Sequence, residues 1–301
     1  MKVITMYSRT LAAIAMTLFC VQGLAQVKDQ SASLVKNITP EKVTPTGKEI
    51  FFEIRTNFGI MKGKLYNSTP IHRDNFIKLV QENYYDSLMF HRVINQFMIQ
   101  GGDPGSRNAA ADKPLGNGGP GYTLEAEIQP TLFHKKGVLS AARQPDNVNP
   151  EKRSSGSQFY LVQGKIYSEQ MLKTQEERIN QSKNNKIIRE YLRDPQNKAD
   201  LDAVSYCQKN KLADSLNNII ARISAVVGKN QIPFTFTPDQ RNAYSTVGGT
   251  PHLDNGYTVF GEVFEGLSVI DKIAAVPVGP KNRPNENVIM TIKILDQNTK
   301  E

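Results

Sequence analysis

Phe90-His91-Arg92-Val93-Ile94-Asn95-Gln96-Phe97-Met98-Ile99-Gln100-Gly101-Gly102-Asp103 is the stretch from which the rest of the chain is read. Residues 90–94 and 97–100 are rich in aromatic and β-branched side chains. The turn-forming Asn95-Gln96 parts them and Gly101-Gly102 closes them, which predicts two short strands. Side chains alternate along a strand, so Arg92, Ile94 and their cross-strand neighbours share one face while His91 and Val93 take the other. That arrangement gathers one arginine, one amide (Gln100) and the bulky Phe97 and Met98 into a small patch. An unpaired charge is costly to bury, so Arg92 reads by itself either as a surface ion-pair partner or as a functional group.

Outward from this stretch the pattern stays β-rich. Residues 50–56 and 59–65 predict a hairpin with Asn57-Phe58-Gly59 at its turn. Thr69 is expected to cap a helix with Pro70 in its first turn, and Phe76, Leu79 and Val80 form its apolar stripe to about Asn83. Downstream, Gly116-Asn117-Gly118-Gly119-Pro120-Gly121 invites a phosphate-cradle reading. No Gly-Lys-Ser/Thr follows and no helix obviously begins there, so an ordered surface loop is expected. Further strands are predicted at 137–142, 158–162, 259–263 and 288–295, with helical spacing at 267–273. Many short strands with two core helices imply a mainly β barrel or sandwich.

Residues 165–245 differ in character. A charged, helix-favouring run over 168–194 is stopped by Pro195. Leu212, Leu216, Ile219, Ile220, Ile223, Val226 and Val227 then form one helical face, ended by Gly228. An extended return at 232–237 and a short helix at 238–244 complete an α-helical insertion. Its apolar stripe must be covered, by the insertion itself, by the barrel's flank or by a bound substrate or partner.

The beginning of the chain reads as a secretory signal peptide over 1–25. Lys2 and Arg9 precede an apolar run from Leu11 to Val21 and the small-x-small site Gly23-Leu24-Ala25. The run is too short for a spanning helix, so no stable membrane span is expected after cleavage. Phe19 is too bulky for lipoprotein processing at Cys20, and its removal leaves Cys207 without an intramolecular partner. Residues 26–47 read as a flexible linker. The chain of 301 residues carries a formal charge of +8, or +6 without Lys2 and Arg9. No dense Lys/Arg run or basic–aromatic interleaving accompanies it, so nucleic acid is not an expected partner. His72, His91, His134 and His252 lack metal-ligand spacing, and no metal or cofactor is expected.

Three blocks, in order, resemble the signature of the cyclophilins, the peptidyl-prolyl cis-trans isomerases. The first is the 90–103 stretch. The second is Gly137-Val138-Leu139-Ser140-Ala141-Ala142 with Ser155-Gly156-Ser157-Gln158-Phe159-Tyr160, and the third is Pro251-His252-Leu253-Asp254-Asn255-Gly256-Tyr257-Thr258-Val259-Phe260-Gly261. The resemblance covers about residues 48–164 and 245–297. It implies an eight-stranded antiparallel barrel capped by two helices, within a domain at 48–297 that the insertion interrupts. It further implies an isomerase of X–Pro bonds acting on proline-containing segments of unfolded or exported proteins, and a monomer is expected. With the leader, this places the protein in the periplasm or cell envelope of a Gram-negative bacterium.

By the same resemblance Arg92, Phe97 and Gln100 are the catalytic set. Met98, Ala142, Arg143, Gln158, Tyr160, His252, Leu253 and Tyr257 contact the substrate. Three positions depart from the usual pattern: Tyr160 replaces a phenylalanine, Arg143 a commoner asparagine, and His252 the tryptophan of the drug-sensitive members. The last departure predicts weak binding of cyclosporin. A peptide-binding or chaperone module is the other reading of such a chain, but a pure binder has no need of Arg92.

Overall fold

The computed structural model describes residues 47–229 and 231–295. The predicted leader at 1–25 and all of the predicted linker but Gly47 lie outside them. The elements begin with β1 (Ile50–Thr56), β2 (Gly59–Leu65), α1 (Pro70–Gln81), β3 (Leu88–Met89), β4 (Arg92–Ile94) and β5 (Met98–Gly101). Next come β6 (Thr123–Leu124), β7 (Val138–Ala141), β8 (Ser154–Ser155), β9 (Phe159–Val162) and α2 (Glu169–Arg193). After these lie α3 (Lys198–Lys209), α4 (Ala213–Val227), α5 (Pro238–Thr246), β10 (Val259–Glu265), α6 (Leu267–Ala274) and β11 (Ile289–Leu295). They form two compact units, residues 173–236 and the remainder of the described chain.

In the β unit one antiparallel sheet runs β3-β11-β1-β2-β10-β7-β9-β5-β4, and β6 pairs separately with β8. The first and last strands of that order, β3 and β4, are consecutive in the chain and are joined by Phe90-His91 alone. Two residues span only about 7 Å, so the two ends of the sheet are held together and it rolls into a barrel. The strand expected at 90–94 is therefore corrected. Its first residue stays with β11, where Phe90 N–H donates to Val288 O at 2.9 Å, and pairing with β5 begins at Arg92. Nine strands are hydrogen-bonded in the sheet, one more than the expected eight, because the 90–94 run divides into β3's continuation and β4.

Period-two alternation sorts the strand residues between two apolar layers. Phe52, Ile54, Val93, Ile99, Leu139, Phe159, Leu161 and Met290 point into the barrel, where Phe76 and Leu79 of α1 and Ile270 and Ile273 of α6 complete the core. Met98, Val138, Tyr160, Val162 and Val259 form a second buried cluster, with Phe97, Leu253 and Tyr257 packed against it. Met98, Val138, Tyr160 and Val162 alternate along β5, β7 and β9 with core residues, so this second layer lies on the outer face of those strands.

Helix α1 has Pro70 in its first turn as expected, but the Thr69 side chain makes no capping bond. The carboxylate of Glu127 does so instead, accepting Ile71 N–H at 3.0 Å and His72 N–H at 2.9 Å. A carboxylate suits these unpaired amides and the positive end of the helix.

The expected limits of the insertion, 165 and 245, are wider than the compact helical unit. Its flanks are tied to the barrel: Tyr167 N–H donates to the Tyr244 carbonyl at 2.9 Å, and the Tyr244 hydroxyl to Asp254 Oδ2 at 2.6 Å. In the helical unit Ile188, Leu192, Val204, Cys207, Leu216 and Ile223 bury one another. The inner edge of the α4 stripe is thus covered by that unit's own helices, while Val226 and Leu212 remain exposed. Cys207 is a buried free thiol. Among the described residues no helix is long and apolar enough to cross a membrane.

Candidate active site

Strand register builds the site. Arg92 pairs with Gln100 across β4–β5, Gln100 with Tyr160 across β5–β9, and Tyr160 with Ser140 across β9–β7. One row across four strands thus carries an arginine, an amide, a phenol and a hydroxyl. Arg92 Nη1 donates to Gln100 Oε1 at 3.1 Å, and Gln100 Nε2 donates to Gln158 Oε1 at 3.0 Å. Gln158 Nε2 then donates to the carbonyls of Gly116 at 3.0 Å and Gly118 at 2.7 Å. This relay assigns each amide its orientation and aims the guanidinium from one side. Among the described residues no carboxylate lies within ion-pair distance of Arg92. Arg92 is half-buried, and burial pulls its pKa below the ordinary arginine value.

A cavity of about 100 Å³ opens beside it, lined by Arg92, Phe97, Met98, Gln100, Ala142, Arg143, Tyr160, Leu253 and Tyr257. Nine of the eleven predicted site residues therefore meet in one place. His252 stands behind this wall, stacked on Phe97 with ring centres 5.5 Å apart and planes 28° apart. Burial lowers its pKa, and His134 and Lys165 add to the effect. Gln158 lines a neighbouring cavity of about 580 Å³, which shares Gln100, Ala142 and Arg143 with the first.

The unusual residues are each accommodated. Arg143 lies 4.6 Å over the Tyr257 ring, donates Nε to Gly256 O at 2.7 Å and pairs Nη1 with Asp146 at 2.7 Å. Its charge is thereby held in a fixed position rather than swinging over the pocket. The Tyr160 hydroxyl reaches His134 Nε2 at 3.0 Å, so the added oxygen leaves the pocket wall apolar.

The sequence marks residues 116–121 as an ordered surface loop but reveals neither its place beside the site nor the carboxylate that shapes it. Gly116, Gly118, Gly119 and Gly121 line the larger cavity. Asp103, buried at the end of the 90–103 stretch, accepts Gly105 N–H at 2.7 Å on Oδ1, and Gly116 N–H at 2.5 Å and Gly118 N–H at 3.2 Å on Oδ2. Gly102 adopts φ +90°, and a Cβ there would run into the Ser157 carbonyl. The Gly-Gly-Asp ending was the available signal: a backbone turn followed by an acceptor for amides. His91, beside the Gly116 loop, is buried with both ring nitrogens unpartnered, and burial pushes its pKa down to about 4.

The family profile described as "Cyclophilin type peptidyl-prolyl cis-trans isomerase/CLD" matches residues 51–212 and 217–294. A protein of Staphylococcus aureus (strain USA300), provisionally named a peptidyl-prolyl cis-trans isomerase, is 30% identical over 243 residues, covering 80% of this chain and 89% of that protein. A Streptococcus pyogenes serotype M6 protein, provisionally named a bifunctional phosphatase/peptidyl-prolyl cis-trans isomerase, is 32% identical over 266 residues. That match covers 87% of this chain and 40% of the Streptococcus protein. Among solved structures, a Cryptosporidium parvum cyclophilin-type peptidyl-prolyl cis-trans isomerase aligns with a TM-score of 0.48 and 19% identity, covering 83% of this chain and 99% of that one.

Proposed function

The chain belongs to the cyclophilin-type peptidyl-prolyl cis-trans isomerase family, and from that premise we propose that Arg92 speeds X–Pro bond rotation by binding the twisted amide. Resonance in the peptide bond sets a barrier of roughly 18–20 kcal/mol, and unaided X–Pro bonds exchange over tens to hundreds of seconds. A catalyst need only bind the twisted form better than either planar form. On twisting, the prolyl nitrogen regains a lone pair and becomes an acceptor, which the planar ground state lacks. A guanidinium donating to that nitrogen therefore stabilises only the transition state.

The observation that carries this reading is the placement of Arg92. It is anchored to Gln100 at 3.1 Å, borders the small cavity and, among the described residues, has no carboxylate within ion-pair distance. Phe97, Met98, Tyr160, Leu253 and Tyr257 offer the prolyl ring an apolar seat. Gln100, Ala142 and Arg143 border both cavities, where they would clamp the residues preceding proline so that one half rotates against the other. We assign the protein to the folding of exported clients, on the strength of the charged-then-apolar leader at 1–25.

The test is cis-to-trans exchange of a short X–Pro peptide with the mature protein and its Arg92→Ala variant. Acceleration that the substitution abolishes, with circular dichroism unchanged, is expected. An inactive wild type would move the weight to peptide binding without catalysis. Subcellular fractionation and the N-terminal sequence of the processed protein test export, and an intact leader on a cytosolic protein would refute it.

A further inference from the structure

Behind the wall of the small cavity runs a chain of hydrogen bonds that the isomerisation step above leaves unused. Tyr160 lines the cavity with its ring, while its hydroxyl turns away to His134 Nε2 at 3.0 Å. The two rings stack with planes 14° apart. On the far side His134 Nδ1 lies 3.0 Å from Asp254 Oδ1, which also accepts the His134 backbone N–H at 2.8 Å. Asp254 Oδ2 accepts the Tyr244 hydroxyl at 2.6 Å. His134 and Tyr244 are wholly buried, and Tyr160 nearly so.

Asp254 faces His134 Nδ1 as an acceptor, so Nδ1 carries a proton toward it. Ser140 Oγ also approaches Nε2, at 3.4 Å, but its single hydrogen goes to Thr258 O at 2.9 Å. The nearer partner of Nε2 is the Tyr160 hydroxyl, at 3.0 Å, which also bonds with Ser140. Burial raises the Tyr160 pKa well above its ordinary value, which keeps that hydroxyl protonated. Each buried polar atom of the chain has its partner, and such a network holds one arrangement. A phenylalanine in this place would be held by packing alone.

We propose that His134 is a positioning residue for prolyl isomerisation: it fixes the Tyr160 ring as a rigid wall for the prolyl ring, with Asp254 and Tyr244 holding His134 in place. The proposal rests on the isomerase reading and adds that the exchange rate, more than peptide affinity, depends on the wall. A ring free to shift would still bind proline but would present a less fixed surface to the twisting amide, where small displacements are costly.

Exchange spectroscopy by NMR on one X–Pro peptide measures catalysed exchange and peptide affinity separately. Tyr160→Phe removes one oxygen and is expected to slow exchange about fivefold, with affinity within about twofold. His134→Asn keeps a donor for Asp254 but removes the 3.0 Å contact to the Tyr160 hydroxyl, and is expected to slow exchange about tenfold. Because both act through one contact, the double variant should be no slower than His134→Asn. Unchanged exchange in Tyr160→Phe, multiplying losses in the double variant, or a loss seen only in affinity would each overturn the proposal. Should His134→Asn fail to fold, Tyr160→Phe alone decides it. A wild type that does not accelerate exchange overturns the isomerase reading and this proposal together, whereas an active wild type with unaltered variants overturns the proposal alone.

Discussion

Arg92 and Gln100 face each other across β4 and β5, and one 3.1 Å hydrogen bond fixes the guanidinium against the amide. The same amide passes the constraint to Gln158 at 3.0 Å, and Gln158 passes it to the backbone of the glycine-rich loop. The Arg92 guanidinium is thus oriented by neutral partners. A carboxylate in the place of Gln100 would hold Arg92 more tightly but would compete with the weak acceptor formed on the prolyl nitrogen.

Arg92→Ala should lower kcat/KM by about 10²–10³, the cost of losing one donor aimed at developing electron density. Arg92→Lys keeps a charge but not the planar fork that bonds Gln100 and substrate together, and should still lose about tenfold. A protease-coupled peptide assay at matched concentrations checks both. Equal activity of the lysine variant and wild type would show that charge alone suffices.

Much of this site was legible because strand alternation is a strict rule. Once residues 92, 98 and 100 are placed on strands, their shared face follows, and Tyr160 joins them through register. What could not be read were contacts made by distant loops. Nothing local to Thr69 tells that Glu127 caps its helix, 58 residues on by number. Likewise the split at Phe90-His91 is a property of closure: a uniform β-favouring run gives no local sign that its two halves join opposite ends of one sheet. Sequence spacing gives His134 no metal site, and nothing local shows its contact with Asp254, which lies 120 residues away.

Asp103→Ala removes the acceptor of three backbone amides, those of Gly105, Gly116 and Gly118. Gly116 and Gly118 are only half-buried, so water can partly replace the carboxylate. The expected loss is about 2–3 kcal/mol in urea unfolding. Hydrogen exchange at residues 116–118 should quicken before global unfolding does. Unchanged protection there would mean that Gln158 alone orders the loop.

His91 predicts a pH dependence whose sign is fixed. Its pKa falls from 6.5 to about 4 on folding, so between those values the unfolded chain binds a proton that the folded one does not. Stability then rises with pH: it is complete above about 6.5, declines as pH falls, and levels off below about 4. The whole change amounts to about 3 kcal/mol. Urea midpoints at pH 7 and pH 4 for wild type and His91→Gln test this, and the variant should lose that part of the slope.

His252 gives the last prediction. Its ring stacks on Phe97, where burial lowers its pKa. An imidazole covers less apolar surface than the indole of the drug-sensitive cyclophilins. Cyclosporin should accordingly bind weakly to the wild type. His252→Trp should tighten binding at least about tenfold, some 1.4 kcal/mol, while isomerisation of a short peptide changes little because His252 does not line the small cavity. Isothermal titration of both proteins decides the matter. Tight binding by the wild type would show that the Phe97 pocket, rather than the aromatic neighbour, governs recognition of the drug.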